Sequence, residues 1–306
     1  MSAELRLPVS QLDHVTFRVP DLEAAAVFYS RVLGLGEVGR DPESGSIRLS
    51  AAPRDGAAAY HQVVLYPGEP AGLEHYGLAV PDEADLARAA SLLQRRGIVV
   101  DGPRVFEAVH GPAVRLRDAD GYLCELTAPL PPTARPSTAV PFRIVRLTHI
   151  NLRTLDPARS ARWWQEVMDL RLSDLIPETF YWLRCRTEHA TIALVRAPVP
   201  RMHHIGFEIA SWGDMRRLLD HFVAHGVKVE YGPGRHGPGN SIFVYVVDPW
   251  QIRWEFQCES APVKETSSQP GLWDPVKGRL GAVNIWGPAP PESFLGREPD
   301  GADVGT

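Results

Sequence analysis

Cysteine is scarce in this sequence, which holds three in 306 residues: Cys124, Cys185 and Cys258. The number is odd, the positions are scattered, and no two of them form a CxxC pair. A disulfide framework is therefore excluded, because such frameworks use an even number of closely spaced cysteines. We interpret the three residues as reduced thiols of a cytoplasmic protein.

Long apolar runs and clusters of positive charge are also absent. No run approaches the roughly 20 residues of a membrane helix, and the first residues lack the apolar core of a signal peptide. The net charge is −5 and the sequence has no basic patch, which argues against nucleic acid as a partner. The composition, 44% hydrophobic and 23% charged, is typical of a globular protein. We therefore expect a cytoplasmic protein with room for two domains, and no contact with membrane or nucleic acid.

An internal repeat is present. Residues 12–19 are echoed by residues 147–153, and each run alternates apolar and polar side chains around a histidine. An aspartate follows each run, Asp21 in the first copy and Asp156 in the second, and each is the expected N-cap of a helix. The pattern predicts a strand followed by a helix at the start of each copy.

The echo continues along both copies. Residues 74–78 correspond to residues 203–207, and residues 124–126 correspond to residues 254–256. Helices are predicted between these segments, near residues 83–96 and 212–225, and each ends at a glycine. The fold class is therefore α+β, with two homologous halves that each read strand-helix-strands twice.

The predicted domain limits follow from the repeat and from proline content. We place the N-terminal domain at residues 8–128, a proline-rich linker at 129–141, and the C-terminal domain at 142–260. A C-terminal extension occupies residues 261–306. It is too rich in aromatic residues for a disordered leftover and too rich in proline for a long helix.

Three potential metal ligands lie in strand-like runs of the second half: His149, His204 and Glu255. Strands place alternate side chains on opposite faces, so ligands on neighbouring strands can converge. Two neutral imidazoles and one carboxylate bind one face of a divalent iron ion and leave its opposite coordination positions open for substrate and dioxygen. This pattern indicates an oxygenase.

A motif in the second half is similar to that of a known family. Residues 232–240 read Gly-Pro-Gly-Arg-His-Gly-Pro-Gly-Asn, and Phe-Val-Tyr at 243–245 and Asp-Pro at 248–249 follow. Together with the duplicated pattern, this resembles the type I extradiol ring-cleaving dioxygenases of the vicinal oxygen chelate superfamily. The resemblance covers residues 8 to 260 and extends to residues 284–288.

That resemblance implies a fold and a reaction. Each half would be a pair of βαβββ modules, the vicinal oxygen chelate fold. The cofactor would be Fe(II), with Mn(II) possible because the same ligands accept both. The substrates would be a catechol-type aromatic diol and dioxygen, with the ring opened adjacent to the two hydroxyls in aromatic catabolism. We also expect a homo-oligomer.

The resemblance assigns roles to individual residues. His149, His204 and Glu255 would be the metal ligands. His189 would serve the dioxygen, whereas His236 and Tyr245 would act on the substrate oxygens, in keeping with the ability of imidazole to transfer protons near neutral pH. The substrate-pocket candidates are Tyr181, Trp182, Tyr231 and Asn240.

Tyr231 bears on the choice of substrate. Relatives that act on carboxylated catechols tend to have an arginine at this position, so tyrosine favours an uncharged diol. Three arginines could still reach a carboxylate: Arg184, Arg196 and Arg253. His203, next to His204, is expected on the other face of its strand.

The first half retains a matching set, His14, His75 and Glu125. The positions that match His236 and Tyr245 are instead phenylalanine and arginine, at 106 and 115. We therefore expect the first half to be a degenerate scaffold.

Two alternatives stay open. One is a metal-dependent lyase or isomerase of the same superfamily, such as a glyoxalase or epimerase, which needs no dioxygen. The other is a non-catalytic protein that sequesters a small molecule such as an antibiotic.

Overall fold

The structure of the protein is a computed structural model. It describes residues 6–51, 62–106, 111–128, 138–264, 269–274 and 283–295.

The first half consists of two βαβββ modules, as predicted. The first module contains β1 (Gln11–Val19), α1 (Leu22–Phe28), β2 (Leu35–Arg40), β3 (Ile47–Ala51) and β4 (Val63–Pro67). The second module contains β5 (Gly72–Ala79), α2 (Glu83–Arg95), β6 (Val100–Val105), β7 (Pro112–Arg117) and β8 (Leu123–Thr127).

The second half repeats the arrangement, which confirms the α+β class. Its first module contains β9 (Ile144–Thr154), α3 (Pro157–Met168), β10 (Arg171–Ile176), β11 (Phe180–Arg184) and β12 (Ile192–Arg196). Its second module contains β13 (Met202–Ile209), α4 (Trp212–Ala224), β14 (Val229–Arg235), β15 (Ile242–Val247) and β16 (Arg253–Cys258). The tail adds the two-residue strand β17 (Gly271–Leu272) and the short helix α5 (Glu292–Leu295).

The helix boundaries agree with the sequence signals. Asp21 and Asp156 are N-caps, and each side chain accepts a hydrogen bond from the backbone N–H three residues later. Gly97 and Gly226 follow the ends of α2 and α4 with φ of +78° and +71°, the left-handed region that glycine adopts without steric cost.

Each half forms one mixed sheet whose central strands carry the predicted ligands. The first sheet has eight strands, in the order β2-β3-β4-β1-β5-β8-β7-β6. The second has nine, in the order β14-β15-β16-β13-β9-β12-β11-β10-β17. The strands β16, β13 and β9 are therefore neighbours, so side chains on one face of them can meet.

Gly206 on β13 makes this meeting possible. In the strand register it lies opposite His149 on β9 and opposite Glu255 on β16. A Cβ atom at this position would lie 2.2 Å from Cε1 of His149, so only glycine lets the ring lie across the strand. Gly77 has the same relation to His14 in the first half, at 2.2 Å.

The two halves share one apolar core. Leu33, Val80, Ile150 and Trp254 belong to the same buried cluster, which draws on both sheets. A buried hydrogen bond also joins the halves, since the Tyr29 hydroxyl donates to Asp248 Oδ2 at 2.6 Å. None of the helices in the described residues is long and apolar enough to cross a membrane. The domain limits stay a prediction, and residues 129–137 of the predicted linker lie outside the described residues.

Candidate metal centre

His149, His204 and Glu255 converge at the centre of the second sheet. Nε2 of His149 and Nε2 of His204 lie 3.0 Å apart. They lie 3.0 and 3.1 Å from Oε2 of Glu255, respectively. All three side chains are buried. The geometry therefore brings together two imidazole nitrogens and one carboxylate oxygen, as the sequence predicted.

Thr148 fixes which nitrogen of His149 carries the proton. Its hydroxyl donates to the carbonyl oxygen of Gly206 at 2.8 Å, which uses its only proton. The same hydroxyl lies 3.0 Å from Nδ1 of His149, so it accepts a hydrogen bond from that nitrogen. Nε2 of His149 is then left with its lone pair directed at the other two ligands.

His203 has the same effect on His204. Nε2 of His203 donates to the carbonyl oxygen of Phe294 at 3.0 Å. Its Nδ1 lies 2.6 Å from Nδ1 of His204 and accepts the proton that this nitrogen carries. Nε2 of His204 is therefore also free to bind a cation. The prediction that His203 faces away from His204 is wrong, because a register shift between Met202 and His204 re-aims the side chains there.

The charge states suit a cation. Burial lowers the pKa of His204 to about 4, so its ring is neutral at pH 7. Burial alone would raise the pKa of Glu255, but polar contacts with the three imidazoles of His149, His204 and His236 hold it well below its ordinary value. Two imidazole nitrogens and a carboxylate that converge on one point stabilise a divalent cation placed among them. The residues present therefore fit a divalent iron or manganese ion.

His236 and Tyr245 lie directly beside this centre. Nε2 of His236 is 3.2 Å from the Tyr245 hydroxyl and 3.1 Å from Oε1 of Glu255. Nδ1 of His236 donates to the carbonyl oxygen of Val283 at 2.6 Å, so Nε2 is the nitrogen available for proton transfer. Burial, and then the nearby Glu255 carboxylate, raise the pKa of Tyr245 well above its ordinary value, so the phenol keeps its proton.

His189 is held by a carboxylate that the sequence analysis missed. Its Nε2 donates to Oδ2 of Asp174 at 2.6 Å, and Nε1 of Trp273 donates to the other oxygen at 3.0 Å. A carboxylate in this position fixes the ring orientation of an acid-base histidine. No sequence signal distinguishes Asp174 from an ordinary polar residue of a strand.

The metal centre opens into a cavity of about 880 Å³. Its wall includes His189, His236 and Tyr245, together with Trp182 and Phe294. A volume of this order is large for a single aromatic ring.

Of the four pocket candidates, only Trp182 lies on the cavity wall. Tyr181 follows the alternation of β11 to the opposite face and packs against the core. Tyr231 is buried behind Tyr245, where its hydroxyl donates to the carbonyl oxygen of Pro288 at 3.1 Å. The Asn240 carbonyl accepts from Nε of Arg235 at 2.9 Å, so its side chain is engaged outside the cavity.

The tail packs against the centre. Phe294 lies with its ring edge-on to Tyr245, at 4.7 Å between centroids, and with its carbonyl on His203. Val283 supplies the carbonyl for His236, and Trp273 supplies the indole for Asp174. Tail residues therefore contact His236 and Tyr245 directly, and they contact His189 through Asp174.

The first half contains a second, altered set. Nε2 of His14 and Nε2 of His75 lie 3.8 and 3.6 Å from Oε2 of Glu125. Oε1 of Glu125 forms an ion pair with Nε of Arg115, which also lies opposite Glu125 in the strand register. Tyr245 has the same register relation to Glu255, which supports the predicted match between Arg115 and Tyr245.

Comparison with known proteins places the chain in a family. The sequence model of the Glyoxalase/Bleomycin resistance protein/Dioxygenase superfamily matches residues 11–126 and 146–256, one match for each half. The chain belongs to this superfamily. Vicinal oxygen chelate architecture is thus supported by the matched sequence as well as by the four modules.

Similar proteins of this superfamily include dioxygenases. The chain is 26% identical over 265 residues to the manganese-dependent 2,3-dihydroxybiphenyl 1,2-dioxygenase of Geobacillus genomosp. 3, covering 79% of this chain and 82% of that one. It is 26% identical over 314 residues to a metapyrocatechase of Geobacillus stearothermophilus, covering 94% and 92%. Among solved structures, the Mn(II)-bound glyoxalase of Novosphingobium aromaticivorans has a TM-score of 0.83 at 25% identity, over 94% of both chains.

The contact between His203 and His204 gives a testable prediction. His203→Leu is expected to weaken Fe(II) binding by about 10- to 100-fold, the usual cost of losing a group that orients a metal ligand. His203→Asn places an amide oxygen near the position of Nδ1 and is expected to recover part of the affinity. Competition with a chelator measures both variants. Unchanged affinity in His203→Leu would exclude the orienting role.

A second prediction concerns the tail. Truncation before Gly271 removes the carbonyl groups of Val283 and Phe294 from the centre, so the Michaelis constant is expected to rise and bound Fe(II) to oxidise faster in air. Truncation after Leu295 is the control, since it keeps both groups and is expected to match the full chain. Steady-state kinetics and the lifetime of ferrous iron test this. Equal values for the two truncations would contradict a role of the tail at the site.

Proposed function

We propose that this protein is an Fe(II)-dependent extradiol dioxygenase that cleaves a catechol-type ring next to its two hydroxyls and incorporates both atoms of dioxygen. The observation that carries the proposal is the joint placement of His149, His204 and Glu255 beside His236 and Tyr245 in one cavity. The similarity to dioxygenases along most of the chain supports it.

The proposed metal site uses the three converging ligands. When bound, the metal lowers the pKa of a coordinated catechol hydroxyl and holds the diol and dioxygen close together. Manganese is an equal candidate on the ligand set, and relatives described as manganese-dependent and as iron-dependent both occur.

In this proposal, His236 and Tyr245 act on the substrate oxygens. Nε2 of His236 is placed to accept a proton from a diol hydroxyl and to return it later, because its Nδ1 is held by Val283. The Tyr245 hydroxyl, which keeps its proton, donates a hydrogen bond to an oxygen that gains negative charge. With its Nε2 held by Asp174, His189 serves the dioxygen side through Nδ1, which donates a proton when the ring is doubly protonated.

The first half is proposed to hold no catalytic metal. The guanidinium of Arg115 already compensates the charge of Glu125. Nothing in this half corresponds to the His236 and Tyr245 pair in the described residues, since arginine stands at the register position of the tyrosine. The duplicated scaffold would then keep its chemistry in one copy, because function resides in the site and not in the fold.

A metal-dependent lyase is the second candidate. The match to a Mn(II)-bound glyoxalase at a TM-score of 0.83 favours it. Such a reaction needs carbonyl polarisation but no dioxygen. It assigns no catalytic role to His236 and Tyr245. We therefore rank it below the dioxygenase.

Oxygen uptake separates the two candidates. Protein reconstituted with Fe(II) or Mn(II) without air is mixed with a panel of catechols in aerated buffer, on an oxygen electrode. Consumption of one dioxygen per diol, with a yellow product, is expected. A Glu255→Gln protein treated in the same way is the control. Turnover of a hemithioacetal without oxygen uptake would favour the lyase instead.

We further propose a cytoplasmic homo-oligomer that acts in aromatic catabolism. The scarcity of cysteine supports the location. Light scattering of the purified protein tests the oligomeric state directly.

A further inference from the structure

Arg153 lies on the same strand face as a proposed metal ligand. His149, Asn151 and Arg153 occupy alternate positions of β9, and all three lie on the cavity wall. The Cα atoms of His149 and Arg153 are four residues apart along the strand, a distance of about 13 Å. Arg153 therefore lies on the part of the cavity wall formed by the C-terminal end of β9, away from the metal centre.

Arg153 differs from Arg146 and Arg196, the other arginines of the cavity wall, because its side chain has no hydrogen-bond or ion-pair partner among the described residues. Nε of Arg146 pairs with Oε2 of Glu208 at 2.7 Å, and Nε of Arg196 donates to the carbonyl oxygen of Glu178 at 2.5 Å. Within the described residues, the side chain of Arg153 makes neither an ion pair nor a hydrogen bond, although its position is partly buried.

The surroundings of Arg153 carry excess positive charge. Burial lowers its pKa, and the neighbouring Arg253 and Arg201 lower it further. The nearby carboxylate of Glu230 is already engaged, since both of its oxygens accept hydrogen bonds from Arg253 at 2.5 and 2.7 Å. Partly buried positive charge without compensation is costly, which favours an anion at this point.

A second group between Arg153 and the metal centre also lacks a partner. The carbonyl oxygen of the Asn151 side chain is buried and makes no hydrogen bond in the described part of the chain. Buried polar groups are normally hydrogen-bonded, so an exception on a cavity wall indicates a ligand. Apolar side chains of Leu155 and Leu295 belong to the same wall, and Leu155 follows Arg153 by two residues in the chain.

We propose that Arg153 binds an anionic group, a carboxylate, on a side chain of the aromatic diol. The proposal rests on the function proposed above, and it extends that function from a reaction to a class of substrate. The distance along β9 places the carboxylate on a flexible substituent and not on the ring itself. Arginine matches the planar geometry of a carboxylate with two parallel N–H donors.

This inference replaces the expectation of an uncharged diol. Tyr231, on which that expectation rested, lies outside the cavity wall. The three arginines named from the sequence are engaged elsewhere: Arg184 with the Leu172 carbonyl and Ser173, Arg196 with the Glu178 carbonyl, and Arg253 with Glu230.

The test compares each acid with its neutral ester. Dihydroxyphenyl-alkanoic acids with one, two or three methylene groups, and their methyl esters, are assayed with the metal-loaded enzyme. The wild type is expected to show a KM about 10- to 100-fold lower for one of the acids than for its ester, the range of a charge-assisted hydrogen bond. High salt is expected to raise the KM of the acid alone.

Three variants assign the preference to Arg153. Arg153→Met removes the charge and keeps the apolar stem, so the acid is expected to lose its advantage while kcat and the ester change little. Arg153→Lys is expected to recover part of the preference for the acid over the ester. Arg196→Met is the matched control, because Arg196 also lies on the cavity wall but is already bonded, and it should leave the preference intact.

Two results would overturn the proposal: equal KM values for every acid and ester in the wild type, or an equal loss for acid and ester in Arg153→Met. If no diol is cleaved at all, the proposed function fails. Anaerobic binding of the same acids and esters to the metal-loaded protein, followed by tryptophan fluorescence, still decides the role of Arg153.

Discussion

Loss of the metal is expected when Glu255 is replaced by glutamine. The change removes the only negative charge among three ligands while it keeps the shape of the side chain, so bound Fe(II) should fall from about one ion per chain to near none. Ring cleavage should fall to the background rate. His149→Ala and His204→Ala are expected to have the same effect, and metal analysis with circular dichroism checks that the fold survives.

The first half provides matched controls for this result. Glu125→Gln and His14→Ala alter corresponding residues of the N-terminal set. Because Arg115 already compensates Glu125, both variants are expected to keep iron content and turnover near the wild-type values. Full iron content in Glu255→Gln would refute the assignment of the centre. A halving of bound iron in Glu125→Gln would show that the first half also holds metal.

Slow ring cleavage with normal metal content is expected when His236 or Tyr245 is replaced by phenylalanine. Neither residue is a proposed ligand, so iron should remain, while loss of proton transfer should lower kcat by about 10²–10⁴. Tyr231→Phe is the control, because that hydroxyl is bonded to Pro288 away from the cavity. It should leave kcat close to that of the wild type.

His189→Phe separates the dioxygen side from the diol side. This variant is expected to bind catechol normally but to handle dioxygen poorly, with release of a partly reduced oxygen species. Asp174→Asn should show a weaker form of the same defect, since it leaves the histidine in place but removes the charge that orients it. Rapid mixing with a peroxide assay measures both. Wild-type turnover in His236→Phe, Tyr245→Phe and His189→Phe would refute the proposed mechanism.

Local patterns were sufficient to predict the helix ends and the convergence of the proposed ligands. Alternation of apolar and polar residues identifies a strand. The internal repeat shows that the three strands occur in the same order in both halves. N-cap aspartates and terminal glycines act within a few residues of the positions that they fix. His149, His204 and Glu255 could therefore be found without knowledge of the packing.

Longer-range contacts could not be predicted in this way. His203 departs from strict alternation because of a register shift, and a shift of this kind has no reliable local signal. Asp174 on β10 meets His189, which lies in the loop between β11 and β12, only in the folded protein. The pocket candidates illustrate the same limit, since Trp182 and Tyr181 are adjacent in sequence but lie on opposite faces of β11.

The sequence by itself determined the fold class, the duplication, the proposed ligand set and the family resemblance, because each of these depends on periodicity or on a short motif. Only the tertiary structure decided that the carbonyl of Phe294 reaches the proposed metal ligands through His203, and that the side chain of Arg153 has no ion-pair partner in the part of the chain that the structure describes. Both are properties of atoms brought together from distant positions of the chain. Whether a buried charge is compensated depends on every neighbour in space, which no local pattern contains.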